Sequence, residues 1–404
     1  VTSYQLSDLR ERIKVMRKNI IKLNAIICSI MLLIATFPVS SLAKTVDLKP
    51  STLQTTEDIA DRIATASGDT DIVDEYAEGK DIYLVGEENV LYEMPKNGDN
   101  PIFTTIDDVV IGMSLPKELS LEKATIASDG SFVYLGEDDA SVCTQIIKEN
   151  VHGEDLCFNR TSVVIDNSNA SHQYTFAFEL PDGFKLCAAD DYNRIQAEYY
   201  EHNKKELIDS GMSEDEYKAR LSELKVSSGE VYIVDKDNEI VEVIGKAWAK
   251  DANGYDVETS YEIEDNKLIQ NVEFDENSLF PIVADPETHP TKYKYFSLKK
   301  ANVKTLRDKY ASSSRSVIVG YIASVAVTSF SVASVAIASV TFASNLYSVE
   351  QHKLWTKVYD GFKKSNNMVK IRVTYTWNGL HKAYAPRLFQ SLCKLKNTDI
   401  RYVN

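Results

Sequence analysis

Cysteine and histidine are scarce in this chain, and their scarcity narrows the metal chemistry that the sequence supports. The 404 residues include five cysteines and six histidines. No C-x-x-C pair and no closely spaced histidine pair occurs, so the chain carries none of the usual zinc ligand patterns. We therefore predict no metal site and no cofactor.

The sequence fingerprints of common enzyme classes are also missing. There is no H-E-x-x-H, no G-x-S-x-G, no P-loop and no Rossmann glycine pattern. Acid pairs occur at Asp107-Asp108, Asp138-Asp139 and Asp190-Asp191, but adjacent acids are typical of solvated turns and do not place two carboxylates across a cleft. The sequence nominates no catalytic residue, and a non-enzymatic function is favoured over an unrecognised secreted enzyme.

Charge is missing over one long stretch. Between Arg315 and Glu350 lie 34 uncharged residues, 316–349, composed largely of Val, Ala and Ser. A bilayer span needs about 20 predominantly apolar residues, so this uncharged run predicts a hydrophobic helix of membrane type. Gly320, Ser324 and Thr328 recur at a four-residue spacing, which permits close helix packing in lipid.

The charges that are present are strongly segregated along the chain. Residues 1–43 carry a net charge of +4, residues 44–291 carry -34, and residues 292–404 carry +15. The basic part is expected to attract an anionic lipid membrane or a cell-wall polymer, whereas nucleic acid is not expected as a partner of an exported protein. The alternative is that the acidic and basic parts attract each other within one fold. The membrane-contact candidates are Lys299, Lys300, Arg307, Gly320, Ser324 and Trp355.

An export signal is predicted near the beginning of the chain. Met16 opens a basic segment, an apolar core of signal-peptide length follows at Ala25–Pro38, and Ser41-Leu42-Ala43 supplies small residues for a signal peptidase. Cleavage before Lys44 would give a secreted or cell-surface protein, with Met16 as the true start. An uncleaved anchor is the alternative.

Short alternating strands separated by turn pairs characterise residues 81–286, except for a helical pattern at 192–224. We predict an α+β fold, with an antiparallel β-sandwich-like domain, an inserted α-hairpin, a hydrophobic helical segment and a small basic α/β tail. The domains are, in order, upstream residues with the signal peptide (1–43), a polar lead-in (44–80), the acidic β domain (81–286), a basic amphipathic collar (287–315), the hydrophobic helix (316–349) and the basic C-terminal region (350–404).

Local patterns predict three further elements. In the lead-in, Ile59, Ile63 and Ala66 share one face of a helix at 56–66. In the C-terminal region, 350–364 is predicted to be helical and 369–377 to be a half-buried strand. These elements would give the lead-in and the C-terminal region a structure of their own.

One part of the acidic domain resembles a known module. The segment Lys246–Gly254 reads KAWAKDANG, and Phe280–Pro286 reads FPIVADP. Together they are similar to a hairpin and closing strand of an uncharacterised β-rich module of secreted Gram-positive bacterial proteins, which often precedes variable toxin-like or surface segments. The resemblance covers about residues 105–286 and implies structural roles, with no catalytic residue, for Trp248, Asn253, Gly254, Pro281 and Asp285.

Two local assignments stay open from the sequence. Asn253-Gly254 suits a primed hairpin turn, since both residue types tolerate positive φ, and the acids around it are interpreted as turn residues in preference to calcium ligands. The mature cysteines are Cys143, Cys157, Cys187 and Cys393. A Cys143–Cys157 disulfide would close the shortest loop, and buried free thiols are the alternative.

Three functions remain in competition. The first is a secreted, non-enzymatic, membrane-interacting protein, in the manner of a bacteriocin or toxin. The second is a cell-surface protein that displays a β binding domain through a single transmembrane anchor. The third is a soluble exported binding protein of unknown ligand, with the uncharged run buried in its core.

Overall fold

The computed structural model describes most of the chain beyond residue 54. The described residues are 55–68, 71–87, 90–137, 139–151, 154–209, 213–215, 217–218, 222, 226, 228–312, 348–363, 367–378, 383–387 and 400–403. They belong to a single compact unit, Gln54–Asn404. Several predicted features lie outside the described residues. They are the signal peptide, most of the uncharged run with Gly320 and Ser324 (within 313–347), Cys28 and Cys393.

An antiparallel sheet of eight strands forms one layer of the fold. It consists of β1 (Ala77–Glu78), β2 (Ile82–Glu87), β3 (Val90–Pro95), β4 (Ile102–Ile106), β5 (Val109–Met113), β10 (Gln173–Glu179), β15 (Thr259–Glu264) and β16 (Lys267–Val272). Neighbouring strands follow the order β1-β2-β3-β4-β5-β10-β16-β15. Burial alternates along β10 and β16, as expected for a sheet with one face on a core.

A second antiparallel sheet has ten strands. It consists of β6 (Thr125–Ile126), β7 (Phe132–Tyr134), β8 (Ala140–Val151), β9 (Glu154–Ile165), β11 (Lys185–Ala188), β12 (Val231–Val234), β13 (Ile240–Ile244), β14 (Ala249–Lys250), β17 (Ile282–Ala284) and β18 (Glu287–Pro290). The main order is β11-β12-β13-β18-β9-β8-β7-β6, and β17 pairs with both β9 and β14. The two long strands β8 and β9 form a twelve-rung hairpin at its centre.

The two sheets enclose one hydrophobic core. Tyr92 and Phe176 from the eight-stranded sheet and Tyr134 and Ile233 from the ten-stranded sheet are all fully buried within the same cluster. Packing of two inner sheet faces is the arrangement of a β-sandwich. The prediction of a β-rich α+β fold built of antiparallel sheets is confirmed.

Helix α1 (Thr56–Ser67) covers the outer face of the ten-stranded sheet. Thr55 caps it, because its side chain accepts from the Asp58 amide while the Asp58 carboxylate accepts from the Thr55 amide. Ile59 and Ile63 are completely buried and pack on outward-facing residues of the sheet, among them Val164. The predicted helix in the lead-in is therefore confirmed, and it belongs to the folded domain.

Helix α2 (Ala189–Asp209) begins the predicted insertion, three residues earlier than the sequence pattern indicated. Its Tyr192 is buried in a cluster with Tyr232 and Val243 on the same outer face of the ten-stranded sheet. Most of the second arm of the predicted α-hairpin lies outside the described residues.

A third sheet follows the sandwich in the chain. This C-terminal sheet has β19 (Lys292–Lys299), β20 (Met368–Asn378), β21 (Ala383–Arg387) and β22 (Ile400–Val403). β20 pairs with the other three strands. Helices α3 (Lys300–Ser312) and α4 (Ser348–Asp360) lie between β19 and β20 in the chain. The predicted collar, 287–315, thus contains β18, β19 and α3. Among the helices that the structure describes, none is both long and apolar enough to cross a membrane.

The hairpin turn at Asn253-Gly254 differs from the predicted primed type. Gly254 has φ of +79°, but Asn253 is not among the residues with positive φ. The Gly254 amide donates to the Asp251 carbonyl, and the Asp251 carboxylate accepts from the amides of Asn253 and Tyr255. This is a three-residue loop with glycine in the left-handed position. The Asp251 side chain satisfies the backbone of the turn and removes the need for a second positive φ.

A Cys143–Cys157 disulfide is ruled out by strand register. Cys143 pairs with Ser162, whereas Cys157 pairs with Lys148, five rungs away along the same hairpin. An odd separation also places the two side chains on opposite faces of the sheet, and they belong to different hydrophobic clusters. Cys143, Cys157 and Cys187 are buried thiols that form no disulfide.

These three thiols are predicted to be unreactive in the native protein. Burial raises the pKa of Cys143 and of Cys187, which removes the reactive thiolate. Maleimide labelling at pH 7.5, mapped by peptide mass spectrometry, should modify none of them in the folded chain and all of them in denaturant. Native labelling of Cys143 at the denatured rate would contradict this packing.

Candidate functional site

Helices α3 and α4 form an antiparallel pair that stands on the C-terminal sheet, here called the stalk. The Lys300 amide donates to the Asn367 carbonyl just before β20 begins. The Lys300 ammonium lies 5.3 Å from the centre of the Phe362 ring. Farther along α3, the Arg307 carbonyl lies 3.0 Å from His352 Nδ1. Residue numbers rise along α3 as they fall along α4, so the helices run in opposite directions.

The stalk brings together Ser312 and Ser348, the described residues on either side of 313–347. α3 ends at Ser312 and α4 begins at Ser348. Because the helices are antiparallel and both are joined to the sheet at their other ends, Ser312 and Ser348 lie at the same end of the stalk, opposite the ends that join β19 and β20. The 13 residues of each helix extend about 20 Å at 1.5 Å per residue. The chain therefore leaves and re-enters the described fold at one place.

Basic side chains cover aromatic rings on the stalk. The Arg307 guanidinium lies 4.4 Å and the Lys300 ammonium 5.6 Å from the centre of the Tyr359 ring, in the range of cation–π attraction. Lys304 and Arg307 also pair with Asp308, at 2.9 and 2.7 Å. The described parts of 292–403 hold fourteen basic and three acidic residues, a net charge of +11.

The basic membrane-contact candidates lie on or beside this stalk. Lys299 is exposed at the end of β19, and Lys300 is half-buried against the rings of α4. The Arg307 side chain keeps 23% of its surface exposed. Lys304, which the sequence analysis did not single out, is more exposed than Arg307, at 56%. The structure thus distributes these cations along the stalk. Lys299 and Lys300 lie at the end joined to the sheet, and Lys304 and Arg307 lie farther along α3 toward Ser312.

Trp355, the aromatic membrane-contact candidate, is buried in the described fold. Its side chain is 1% exposed, and Val303, Leu306 and Val358 of the same two helices are also buried. The Trp355 ring therefore belongs to the interior of the C-terminal unit. An apolar stripe on a helix indicates burial, but the sequence does not say whether lipid or a neighbouring helix covers it.

Asp285, predicted to be structural, connects the two sheets of the sandwich. Its Oδ1 accepts from the Trp248 amide at 2.9 Å, from the Tyr261 hydroxyl at 3.2 Å and from Gln270 Nε2 at 3.4 Å. Tyr261 and Gln270 lie on the eight-stranded sheet, and Trp248 precedes β14. Complete burial raises the pKa of Asp285 well above its ordinary value. Pro281 precedes β17 and Pro286 precedes β18.

A buried polar and aromatic cluster joins the sandwich to the C-terminal sheet. This junction cluster consists of Phe158 and Arg160 on β9, Glu287 and His289 on β18, and Trp377 on β20. The His289 ring stacks on Trp377 with centres 4.0 Å apart and planes 2° from parallel. The centre of the Phe158 ring lies 4.5 Å from the centre of the His289 ring. Arg160 Nε donates to Glu287 at 2.7 Å, and His289 Nε2 lies 3.6 Å from the same carboxylate.

The Glu287 carboxylate is held in its charged form. Burial alone would raise its pKa, but the polar contact with His289 and the charge and hydrogen bond of Arg160 outweigh burial and lower the pKa to about 2. His289 responds in the opposite sense, because burial of the ring lowers its pKa despite the nearby carboxylate. Glu287 is therefore ionised and paired with Arg160 at neutral pH.

Sequence analysis missed this junction cluster. A glutamate and a histidine two residues apart share one face of a strand, which is the only signal that 287–289 offers. Their partners Arg160 and Trp377 are more than 85 residues away in either direction. In the residues that the structure describes, no group of three or more His, Cys, Asp or Glu side chains is arranged to hold a metal ion.

Comparison with known proteins adds no relative to these observations. No protein-family model, no curated protein and no solved structure matches the chain. The geometry and charge of the stalk and of the junction cluster therefore carry the functional interpretation.

Glu287→Gln is predicted to destabilise the protein by about 3–5 kcal/mol, because it leaves the buried Arg160 guanidinium without its counter-charge. Urea unfolding monitored by circular dichroism measures this change. The stability from Glu287 should be complete above its ordinary pKa of 4.5 and should be lost as the pH falls toward about 2.

Asp256→Asn is the matched control for this variant. It removes the partner of Lys250, and both of these side chains are much more exposed than Arg160 and Glu287. The expected loss is below about 1 kcal/mol. Equal losses for the two variants would contradict the assigned importance of the buried pair.

Proposed function

We propose that this chain is a secreted, non-enzymatic protein that inserts its uncharged run into lipid membranes, in the manner of a bacteriocin or toxin. The observation that supports this proposal is the antiparallel stalk, which holds both ends of the run at one point. A run of 34 uncharged residues extended from such a point is suited to enter a membrane as a hairpin.

The length of the run fits two short crossings. Each half of a hairpin would have about 17 residues, which is at the lower limit of a membrane-spanning helix. The Val, Ala and Ser content suits closely packed arms, since small side chains allow two helices to approach in lipid. Serine hydroxyls within each arm can bond back to a helix carbonyl.

A single transmembrane anchor is disfavoured by the same geometry. One crossing would place α3 and α4 on opposite sides of the bilayer, so the stalk would have to separate. Separation would expose Val303, Leu306, Trp355 and Val358, which are buried in the described fold. At about 1.5–3 kcal/mol for each large apolar side chain, the cost is roughly 6–12 kcal/mol. Two crossings leave the stalk intact.

Electrostatic attraction would bring the stalk to its target. The described residues of 292–403 have a net charge of +11, and Lys299 and Lys304 are exposed just before α3 and in its first half. A basic residue near an anionic surface contributes about 1 kcal/mol to binding. We therefore assign anionic lipid as the partner, with an anionic cell-wall polymer as a surface met before it.

Dye release from vesicles tests insertion of the run. The purified chain at micromolar concentration should release a trapped dye from vesicles of 30% phosphatidylglycerol in phosphatidylcholine, at pH 7.5 or at pH 5.0. The double variant Val325→Glu/Val340→Glu should release at least tenfold less, because a carboxylate at the centre of each arm costs about 2.5–3.5 kcal/mol.

The control for this variant carries the same two added charges elsewhere. Ser168→Glu/Ser260→Glu changes two exposed positions of the sandwich and should release dye like the unmodified chain. Vesicles that stay intact at both pH values would refute membrane insertion as the function, and so would equal release by the two double variants.

Lys299→Gln/Lys304→Gln is predicted to weaken binding to anionic vesicles by roughly 30-fold, from about 1 kcal/mol for each lysine. Vesicle co-sedimentation at 0.1 M salt measures the partition constant. Lys117→Gln/Lys185→Gln removes two exposed lysines from the sandwich and should leave the constant nearly unchanged. An equal loss for the two pairs would show that total charge, and not the stalk surface, determines binding.

A further inference from the structure

The stalk and the uncharged run are attached to the sandwich through the C-terminal sheet. β18 of the ten-stranded sheet is followed after one residue by β19, and β20 contacts β13 and β18 across the junction. The central contact described there is the stack of Trp377 on His289, with Phe158 behind the His289 ring. Any change that makes this stack unfavourable would free the sheet that carries the run.

Strand register determines which side chains face the stack. His289 pairs with Val243, and Val243 pairs with Tyr232. Paired residues lie on one face of a sheet, and Tyr232, Val243 and Trp377 indeed belong to one hydrophobic cluster. Glu242 pairs with Pro290 and with Ile233, and Ile233 belongs to the sandwich core. The Glu242 carboxylate therefore faces away from His289.

The charged groups near His289 come from four elements. Glu287 is on the same strand, β9 contributes Arg160, and the start of β19 contributes the buried Lys292. On β12, the Tyr232 hydroxyl donates to Glu230 two strands from the stack. β13 presents apolar Val243, and β20 presents Trp377 beside the buried Thr376. Of these groups, Glu287 and Arg160 act electrostatically on the His289 ring, which is completely buried.

We propose that His289 makes the docking of the C-terminal sheet onto the sandwich sensitive to acid, so that its protonation favours an undocked state in which the sheet and stalk separate from the junction cluster. A regulatory role for this docking equilibrium rests on the proposed function, since the C-terminal sheet is joined to the uncharged run that would enter the membrane. The docking equilibrium itself is independent of lipid.

Three effects compete when His289 gains a proton. Burial of the added charge opposes docking. Stacking of an imidazolium on Trp377 favours docking through cation–π attraction, and Glu287 adds attraction. Removal of an ion from water costs several kcal/mol, and Arg160 already takes most of the attraction that Glu287 offers. Desolvation therefore dominates, which agrees with the lowered pKa of His289.

The sign of the pH effect follows from this balance. An exposed histidine has a pKa of about 6.5, so the undocked state binds a proton first as the pH falls. Docking is complete above that pH and weakens below it. Glu242, whose pKa burial raises to about 7, lies on the other face and stays buried in the sheet in both states. Its titration therefore does not oppose the effect.

Hydrogen exchange of the full chain tests the proposal without lipid. Amides of β20, residues 368–378, should lose protection between pH 7.5 and pH 5.0 after correction for intrinsic exchange. The loss should approach roughly 30-fold, the factor set by an exposed histidine pKa of about 6.5. Amides of β10, inside the sandwich, should change much less.

Three variants assign the effect to this ring. His289→Phe keeps an aromatic stack without a titratable nitrogen and should abolish the loss of protection. His172→Phe, the matched control, replaces a histidine that stacks on Phe274 at 4.0 Å, and should retain the full loss. Trp377→Phe keeps His289 and should lower protection at both pH values while retaining the pH effect, which covers the case that His289→Phe does not fold.

Absence of a pH effect in the unmodified chain would overturn the proposal, and so would an unchanged effect in His289→Phe. Dye release distinguishes failure of the acid switch from failure of the membrane function. If exchange responds to acid but vesicles stay intact, the switch stands and the membrane function fails. If vesicles leak equally at both pH values while exchange shows no response, the membrane function stands and the switch fails.

Discussion

The pairing of β19 with β20 is the constraint on which the arrangement of the C-terminal part depends. Eight consecutive pairs run from Lys292–Tyr375 to Lys299–Met368. Everything between Lys299 and Met368 must therefore start and finish at one point of the sheet. Two antiparallel helices satisfy that condition, and their apolar side chains Val303, Leu306, Trp355 and Val358 are buried. The shared end at which Ser312 and Ser348 lie follows from this pairing.

The segregation of charge along the sequence corresponds to two parts of the fold. The acidic sandwich and the basic C-terminal unit are successive parts of one chain, joined by a single residue between β18 and β19. Their described contact is an aromatic stack next to the buried Arg160–Glu287 pair. Such a contact can be weakened by one proton, whereas broad attraction between opposite surfaces would be weakened mainly by salt.

Local sequence patterns predicted the helices and strands that depend on residues close together in the chain. Helix α1 follows from a capped start and isoleucines four residues apart, and β10 and β16 follow from alternation of apolar and polar residues. The predicted helix at 350–364 and strand at 369–377 correspond to α4 and β20. Pairing depends on residues far apart in the chain, which periodicity does not encode. For that reason the sequence left a Cys143–Cys157 disulfide and buried thiols as open alternatives, and the burial of Trp355 and the stack on His289 were not foreseen.

The central claim is that the uncharged run enters a membrane and returns on the same side. Trypsin added outside vesicles that contain the inserted chain tests it most directly, because Arg315 and Lys353 flank the run. The account predicts one protected fragment, 316–353, with residues 354–404 digested. Protection of residues 354–404 would show a single crossing and would contradict the account. Complete digestion of 316–353 would show that the run does not insert.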